Sequence, residues 1–283
     1  MKNGAALSAG MVQVTAAVVS HRRIAPDHYQ MRLKAPLIAR RARSGQFIHL
    51  RCDDSDHPLL RRPLSLLDLD AAAGTIDFIY KIVGLGTSVL SRIPVGAKVD
   101  TLGPLGHPFE IPAGLKKAYL IGGGVGIPPL YFLAKQLLKS GCRDVTAFLG
   151  ARTKEWVICA AQFRKLGLHV RVATDDGTCG HEGTVVQLLE KTVRTENPDP
   201  AGTQLYICGP TPMMAVAAEV ARREKISAQV SLEERMGCAM GCCLGCVVEI
   251  ATESAASHSR FQRVCTEGPV FDSRKILWEA ACH

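Results

Sequence analysis

The sequence predicts a three-part chain: an antiparallel β barrel, then a parallel α/β sheet, then a short cysteine-rich module. Three observations carry this. Up to about residue 112 short apolar stretches alternate with polar residues between Gly and Pro breaks; from Ala118 onward apolar strands alternate with helical stretches; and five cysteines crowd into residues 238–265. The expected division is 1–112, 113–227 and 228–283.

In the first part, Tyr29, Met31 and Leu33 alternate with polar neighbours, as do Ile76, Phe78 and Tyr80; Gln46 to Leu50 and Lys98 to Leu102 are further strand candidates. Gly45, Pro58, Gly74, Pro94, Gly96, Gly103 and Pro104 punctuate them. Short strands at such intervals suit a small antiparallel barrel. Two features within it carry chemistry. Arg62-Pro63-Leu64-Ser65 presents a fixed cation, a rigid proline and a hydroxyl on one strand; an arginine fork grips a diphosphate, though it equally suits an exposed strand start with a salt bridge. Ile79-Tyr80-Lys81 leads into a glycine turn, Gly84 to Thr87, which includes Gly86 and opens a short apolar stretch. Amides at such a turn can meet a phosphate, or simply start a helix.

The second part opens with an apolar strand at Ala118 to Ile121, followed by Gly122-Gly123-Gly124-Val125-Gly126-Ile127-Pro128-Pro129 and a helix through Leu138. Glycines at a strand end let backbone approach a ligand, and proline suits the first helical turn. The loop is not a G-x-G-x-x-G fingerprint, so alone it says only that a ligand sits at the sheet edge. Further strands are expected at Val145 to Leu149, Val170 to Ala173 and, last, Gln204 to Cys208, with helices near Glu155 to Leu166, Thr184 to Arg194 and Pro212 to Glu224. At Cys208-Gly209-Pro210-Thr211 the chain turns, with Thr211 expected to cap the helix and Cys208 to face the crevice; Met213 and Met214 read as core.

The third part contains Cys238, Cys243 and Cys246 in the pattern C-x4-C-x2-C, with Cys265 following later. That spacing is the one used by plant-type [2Fe–2S] sites: a tight loop supplies three thiolates and a remote cysteine closes the cage. Gly237, Gly241 and Gly245 suit such a loop. Zinc usually takes paired knuckles, and Cys265 has no close cysteine or histidine partner. Disulfides suit a secreted chain, whereas Met1 to Ser20 does not read as a signal peptide, so a reducing, cytoplasmic setting is expected. Cys242 competes with Cys243 as a ligand; Cys243 restores both gaps.

The chain has 283 residues, 47% hydrophobic, with net charge +8 from 34 basic and 26 acidic residues. No run of eighteen apolar residues exists, so no membrane span is expected. Aromatics are 5%, and the basic runs Arg22-Arg23 and Arg40 to Arg43 are short, which disfavours nucleic acid. A basic surface could meet an acidic protein partner.

Nicotinamide exchanges two electrons as a hydride, whereas an iron–sulfur cluster passes one at a time. A flavin handles both, so a chain with a dinucleotide-like loop and a cluster loop calls for a flavin between them. The barrel features around Arg62 and Gly86 are where it is expected.

The ordered succession RPLS, the Gly86-Thr87 turn, GGGVGIPPL, CGPTPMM and the cysteine loop resembles the ferredoxin–NADP⁺ reductase superfamily, and more narrowly the electron-transfer subunits of type B dihydroorotate dehydrogenase. The likeness extends to Ala173 to Thr178 and to the E-G-P-V-F ending at Glu267 to Phe271. It implies a ferredoxin-reductase-like FAD barrel, an NAD domain and a C-terminal [2Fe–2S] module facing an FMN-bearing catalytic subunit, in a heterotetramer of pyrimidine biosynthesis. It also implies FAD at Arg62 to Ser65, Ile79 to Lys81 and Gly86 to Thr87, NAD at the Gly122 to Gly126 and Cys208-Gly209 loops, and the cluster on Cys238, Cys243, Cys246 and Cys265. No acid–base residue is required of this chain. Three departures stand out: Ala239 where the family has glycine, expected to need a different turn; the extra Cys242; and the insertion-like Thr252 to Ser259. The competing assignment in the superfamily is a small subunit of a bifurcating ferredoxin–NADP⁺ oxidoreductase or a hydrogenase diaphorase, with Arg152 and Lys154 as candidate 2′-phosphate contacts. A non-enzymatic metal-binding or redox-sensing protein leaves the succession of loops unexplained.

Overall fold

A computed structural model describes residues 10–53, 55, 57–251 and 261–278. The N-terminal strands β1 (Val12–Ala25), β2 (His28–Lys34), β3 (Phe47–Leu50), β4 (Arg62–Asp70), β5 (Thr75–Lys81) and β6 (Lys98–Leu105) close a barrel in the order β1-β2-β5-β4-β3-β6. Strand alternation sends Ile48, Leu50, Leu64, Leu66, Ile76 and Phe78 inward to fill it. The short helices α1 (Pro36–Ala39) and α2 (Leu85–Leu90) add Ile38, Ala39 and Leu90 to this core. β2 and β5 fall where alternation placed them, and β3 and β6 at the two further strand candidates. β1 does not announce itself, because register shifts between Val18 and Ser20 and between Arg23 and Ala25 break its period.

The second unit is a seven-stranded sheet in the order β10-β9-β8-β7-β11-β12-β15. Its strands are β7 (Lys117–Gly123), β8 (Asp144–Ala151), β9 (His169–Thr174), β10 (His181–Glu182), β11 (Thr203–Cys208), β12 (Ser227–Ser231) and β15 (Val270–Asp272), interleaved with α3 (Ile127–Lys139), α4 (Ala160–Lys165), α5 (Val185–Glu196) and α6 (Thr211–Arg223). All neighbours are parallel except β15, which runs antiparallel to β12. The sheet therefore does not stop at Gln204 to Cys208, as expected; it gains β12 and a strand returned by the C-terminal segment. β7 and β11 are buried almost throughout, as central strands covered on both faces must be.

Two local expectations need correction. Glu155 to Leu166 is not one helix: a 3₁₀ turn at Lys154–Trp156 is separated from α4 by β-branched Val157 and Ile158 and by Cys159 at φ 63°. Thr211 does not cap α6; it is the first helical residue, after Pro210, and no side chain caps this end. By contrast Thr184 caps α5, accepting the Gln187 N–H at 3.2 Å.

The third unit is the cysteine loop with a two-stranded ribbon, β13 (Val247–Glu249) and β14 (Phe261–Arg263). The expected insertion at Thr252 to Ser259 lies outside the described residues. The segment after β14 is tied to the barrel: the His107 N–H donates to the Gly268 carbonyl at 2.6 Å. Gly106, at φ +76°, lets it pass, because a Cβ there would lie 2.4 Å from Pro269 Cδ. Among the described residues no helix is long and apolar enough to cross a membrane.

Candidate functional site

A cavity of ≈ 720 Å³ opens at the carboxyl ends of β7, β8, β9 and β11, lined by Gly123, Gly124, Gly126, Arg152, Asp175 and Gly209 among others. Crevices at this edge of a parallel sheet are where dinucleotides bind. The sequence explains the shape. Gly124 takes φ +54° with open space around it, and Gly126 lies so close to the end of β11 that a Cβ would sit 2.3 Å from the Cys208 carbonyl oxygen. Gly122 and Gly123 are packed against Ile127 and Met213. Together these glycines bring bare backbone to the N-terminus of the thirteen-residue α3, whose first turn carries Pro128 and Pro129 and so lacks two N–H groups.

Cys208 does not face this crevice. It is 1% exposed and absent from the lining, with its thiol pushed up by burial and by nearby Glu233 and hydrogen bonded to Ser231. Strand β11 is buried on both sides, so its sequence carries no parity that could have told inside from crevice. Met214 is core at 1% exposure, as expected, while Met213 lines the cavity instead.

The barrel brings Arg62 against Gly86 but spreads the other flavin candidates over its core, its outer face and the neighbouring cavity. Arg62 leaves β4 with its guanidinium donating to the Leu60 carbonyl at 2.5 Å, and an added Cβ on Gly86 would strike that guanidinium at 2.4 Å. Thr87 Oγ1 takes the N–H groups of Val83 (3.0 Å) and Gly84 (3.3 Å), holding the turn in shape. Pro63 and Ser65 pair with His49 and Phe47 on the outer face of the barrel. Leu64 and Tyr80 point into the barrel core, where the Tyr80 hydroxyl meets His21 Nε2 at 2.8 Å, so only their backbone could serve a ligand. Ile79 packs under α3, and Lys81 turns to the cavity, its Nζ 4.0 Å above the Trp156 ring.

Residue-by-residue sequence reading missed His28, Trp156 and Glu233 as cavity residues. His28 meets Trp156 edge to face at 5.4 Å, and its Nδ1 is 2.6 Å from the Pro26 carbonyl. Burial, with Lys81 nearby, lowers its pKa, so the ring is neutral and Nδ1–H donates. Glu233 opens into the cavity, whose walls strip it of bulk solvent and push its carboxyl up. These contacts join residues from distant strands, and no local pattern signals them.

In the cysteine loop the N–H groups of Met240, Cys242 and Cys243 donate to Cys238 Sγ at 3.4, 3.3 and 3.4 Å. Burial opposes the thiolate, yet these donors win and bring the Cys238 thiol down to about 6. Cys246 faces Cys265, whose thiol burial and that neighbour push up to about 12. The thiols thus lie as two pairs, Cys238 with Cys243 and Cys246 with Cys265; among the described residues no three His, Cys, Asp or Glu side chains meet at one point. Two pairs suit two irons. A Cβ on Gly237 would come within 3.3 Å of Cys243 Sγ, a tight approach, while one on Gly245 would make an ordinary 3.6 Å contact. Cys242 and Cys243 are both exposed, and the Cys242 thiol makes a 4.0 Å contact to the Met240 carbonyl. Ala239 adopts φ 55°, in the left-handed region that favours glycine, as does Leu244 at 57°.

Comparison with known proteins agrees with this geometry. Residues 15–109 match the oxidoreductase FAD-binding domain family, 120–219 the oxidoreductase NAD-binding domain family, and 233–277 the iron–sulfur cluster binding domain of dihydroorotate dehydrogenase B. The dihydroorotate dehydrogenase B (NAD⁺) electron transfer subunit of Desulforamulus reducens is 39% identical over 256 residues, covering 90% of this chain and 95% of that protein. That of Bacillus caldolyticus is 41% identical over 263 residues, covering 92% and 96%. Among solved structures, an NADH-dependent reduced ferredoxin–NADP oxidoreductase, studied for flavin-based electron bifurcation, is 30% identical with a TM-score of 0.82, covering 94% of this chain and 91% of that one. An Amycolatopsis cytochrome P450 reductase, 23% identical at a TM-score of 0.65 and covering 77% and 67%, shares the fold. With relatives this similar along nearly its whole length, the chain belongs to the family of dihydroorotate dehydrogenase B (NAD⁺) electron transfer subunits.

Proposed function

We propose that this chain carries electrons from the FMN of a dihydroorotate-oxidising catalytic subunit to NAD⁺, in a heterotetramer of pyrimidine synthesis. The observation that supports it most is the ordered presence, in one chain, of the glycine-lined cavity and the paired cysteines, joined by a barrel edge that suits a flavin. When bound, the cluster and FAD supply the one-electron and hydride chemistry. The chain's own residues do the rest. Cys238, Cys243, Cys246 and Cys265 hold the cluster, with backbone N–H groups offsetting thiolate charge. Arg62, Pro63, Leu64, Ser65, Ile79, Tyr80, Lys81, Gly86 and Thr87 form the FAD edge, Arg62 with its fork and Leu64 and Tyr80 by backbone. Gly122, Gly123, Gly124, Gly126 and Gly209 shape the NAD⁺ cavity, with Cys208 behind it. The division into 1–112, 113–227 and 228–283 follows these three roles, and a cytoplasmic location fits free thiols. No side chain here acts as acid or base on dihydroorotate.

The test is reconstitution: mixed anaerobically with a type B catalytic subunit, the chain should confer dihydroorotate-dependent NADH formation, and a Cys265→Ser variant should retain FAD but lose that activity and its iron. A normal cluster spectrum in the variant would sink the ligand assignment. The bifurcating-enzyme subunit is the second reading, favoured by the 0.82 TM-score match; co-purification with a large subunit bearing two iron–sulfur clusters, in place of an FMN barrel, would select it.

A further inference from the structure

The cluster ligands account for the cysteines but not for the charged group wedged between them. Arg263 ends β14, directly opposite Val247 in the ribbon and two residues before Cys265. Its Nη1 donates to the Gly241 carbonyl at 2.9 Å, reaching across to the three-cysteine loop. Its other edge is held by Glu267: Nε donates to Oε2 at 2.9 Å, Nη2 pairs with Oε1, and the Arg263 N–H adds a bond to Oε2 at 2.7 Å. The Arg263 carbonyl accepts N–H groups from Thr266, Glu267 and Gly268 at 3.2, 2.9 and 3.3 Å, which folds the turn carrying Cys265. Room for the guanidinium is made by Gly241: at φ +83° it is the residue where a Cβ would lie 3.0 Å from Nη1 and from Thr266 Cγ2.

From this geometry we infer that Arg263 is a positioning residue with two tasks: it clamps the Cys238 to Cys246 loop to the Cys265 turn, and it fixes a positive charge beside the cluster that raises the reduction potential. The inference rests on the cluster assignment above. A guanidinium stays charged at any working pH. Positive charge beside an iron–sulfur cluster favours the reduced, more negative state, and hydrogen bonding and local charge are the protein's means of setting the potential. Because Glu267 holds the far edge, the pair is oriented with its cationic end toward the loop.

The test is an EPR-monitored redox titration of the full chain with iron and sulfide counted, on wild type, Arg263→Gln, Arg263→Lys and Glu267→Gln. Absence of iron in the wild type would overturn the cluster assignment itself. With a wild-type cluster present, Arg263→Gln should lower its midpoint potential and speed iron loss to a chelator. Arg263→Lys keeps the charge but not the fork, so it should hold the potential near wild type while still losing iron faster. Glu267→Gln removes the opposing charge and should raise the potential; if Arg263→Gln cannot load a cluster, this variant decides. Unchanged potentials in whichever of Arg263→Gln and Glu267→Gln load a cluster would overturn the proposal.

Discussion

Gly126→Ala is the sharpest probe of the nucleotide cavity, because the collision it creates is with backbone. The added Cβ would lie 2.3, 2.4 and 2.5 Å from Cys208 O, Cys208 C and Gly209 N. Those atoms end β11, which is held by β7 on one side and β12 on the other, so they cannot swing away like the tip of a side chain. Reaching an ordinary van der Waals separation of about 3.4 Å requires a shift of about 1 Å between α3's start and the sheet. Overpacking of this kind costs about 1–3 kcal/mol, and an immovable neighbour puts the expectation near the upper end. At about 2–4 °C per kcal/mol, that is a fall of roughly 6–12 °C in melting temperature. A 1 Å misplacement of the bound nucleotide, even from a change remote from the reacting atoms, also slows hydride transfer by about 100-fold. Gly124→Ala is the control: open space surrounds it and only its φ of +54° resists, so it should cost about 1 kcal/mol. Stopped-flow reduction by NADH and a thermal melt read both, with iron content unaffected. A Gly126→Ala chain that melts and reacts like wild type would refute this account of the glycine loop.

Cys243→Ser should lose the cluster while Cys242→Ser keeps iron and spectrum, since only Cys243 restores the C-x4-C-x2-C spacing; the opposite result would reassign the ligand. Ala239→Gly exchanges relief of about 1 kcal/mol of left-handed strain for a lost buried methyl of about 0.8 kcal/mol and added chain entropy, so its melt should move little, whereas Ala239→Val should lose more than about 1 kcal/mol. Glu196 accepts from Tyr119 Oη (2.5 Å), Lys117 Nζ (2.8 Å) and Arg171 Nη2 (2.8 Å). Burial opposes its charge, but these donors lower its pKa, so its stabilisation is present above the unfolded value near 4.3 and is lost as pH falls through the lower folded value. Glu196→Gln should therefore flatten the acid limb of a stability-versus-pH curve, by about 1 kcal/mol or less, and an unchanged limb would remove this network from the account.

Much of this architecture was legible because the residues obey local rules. The sequences of β2 and β5 alternate, α5 falls near the expected Thr184 to Arg194 helix, and the cysteine spacing speaks for a cluster. What escaped did so for physical reasons. β1 is bulged, β15 forms only when a distant segment returns to β12, and Cys208 sits on a strand with no polar face. His28 and Trp156 meet only because the barrel packs on the sheet edge, and Arg263 acquires its role from Gly241 and Glu267 in the folded loop.

The central claim is that one chain holds a dinucleotide cavity, a flavin edge and a cluster in electrical contact. The direct measurement is anaerobic purification of the chain without its partner, flavin and iron analysis, and a visible spectrum before and after NADH. One FAD and two irons per chain, both bleached by NADH, is the predicted result. Zinc without flavin, or a cluster that NADH leaves oxidised while the flavin is reduced, would contradict it.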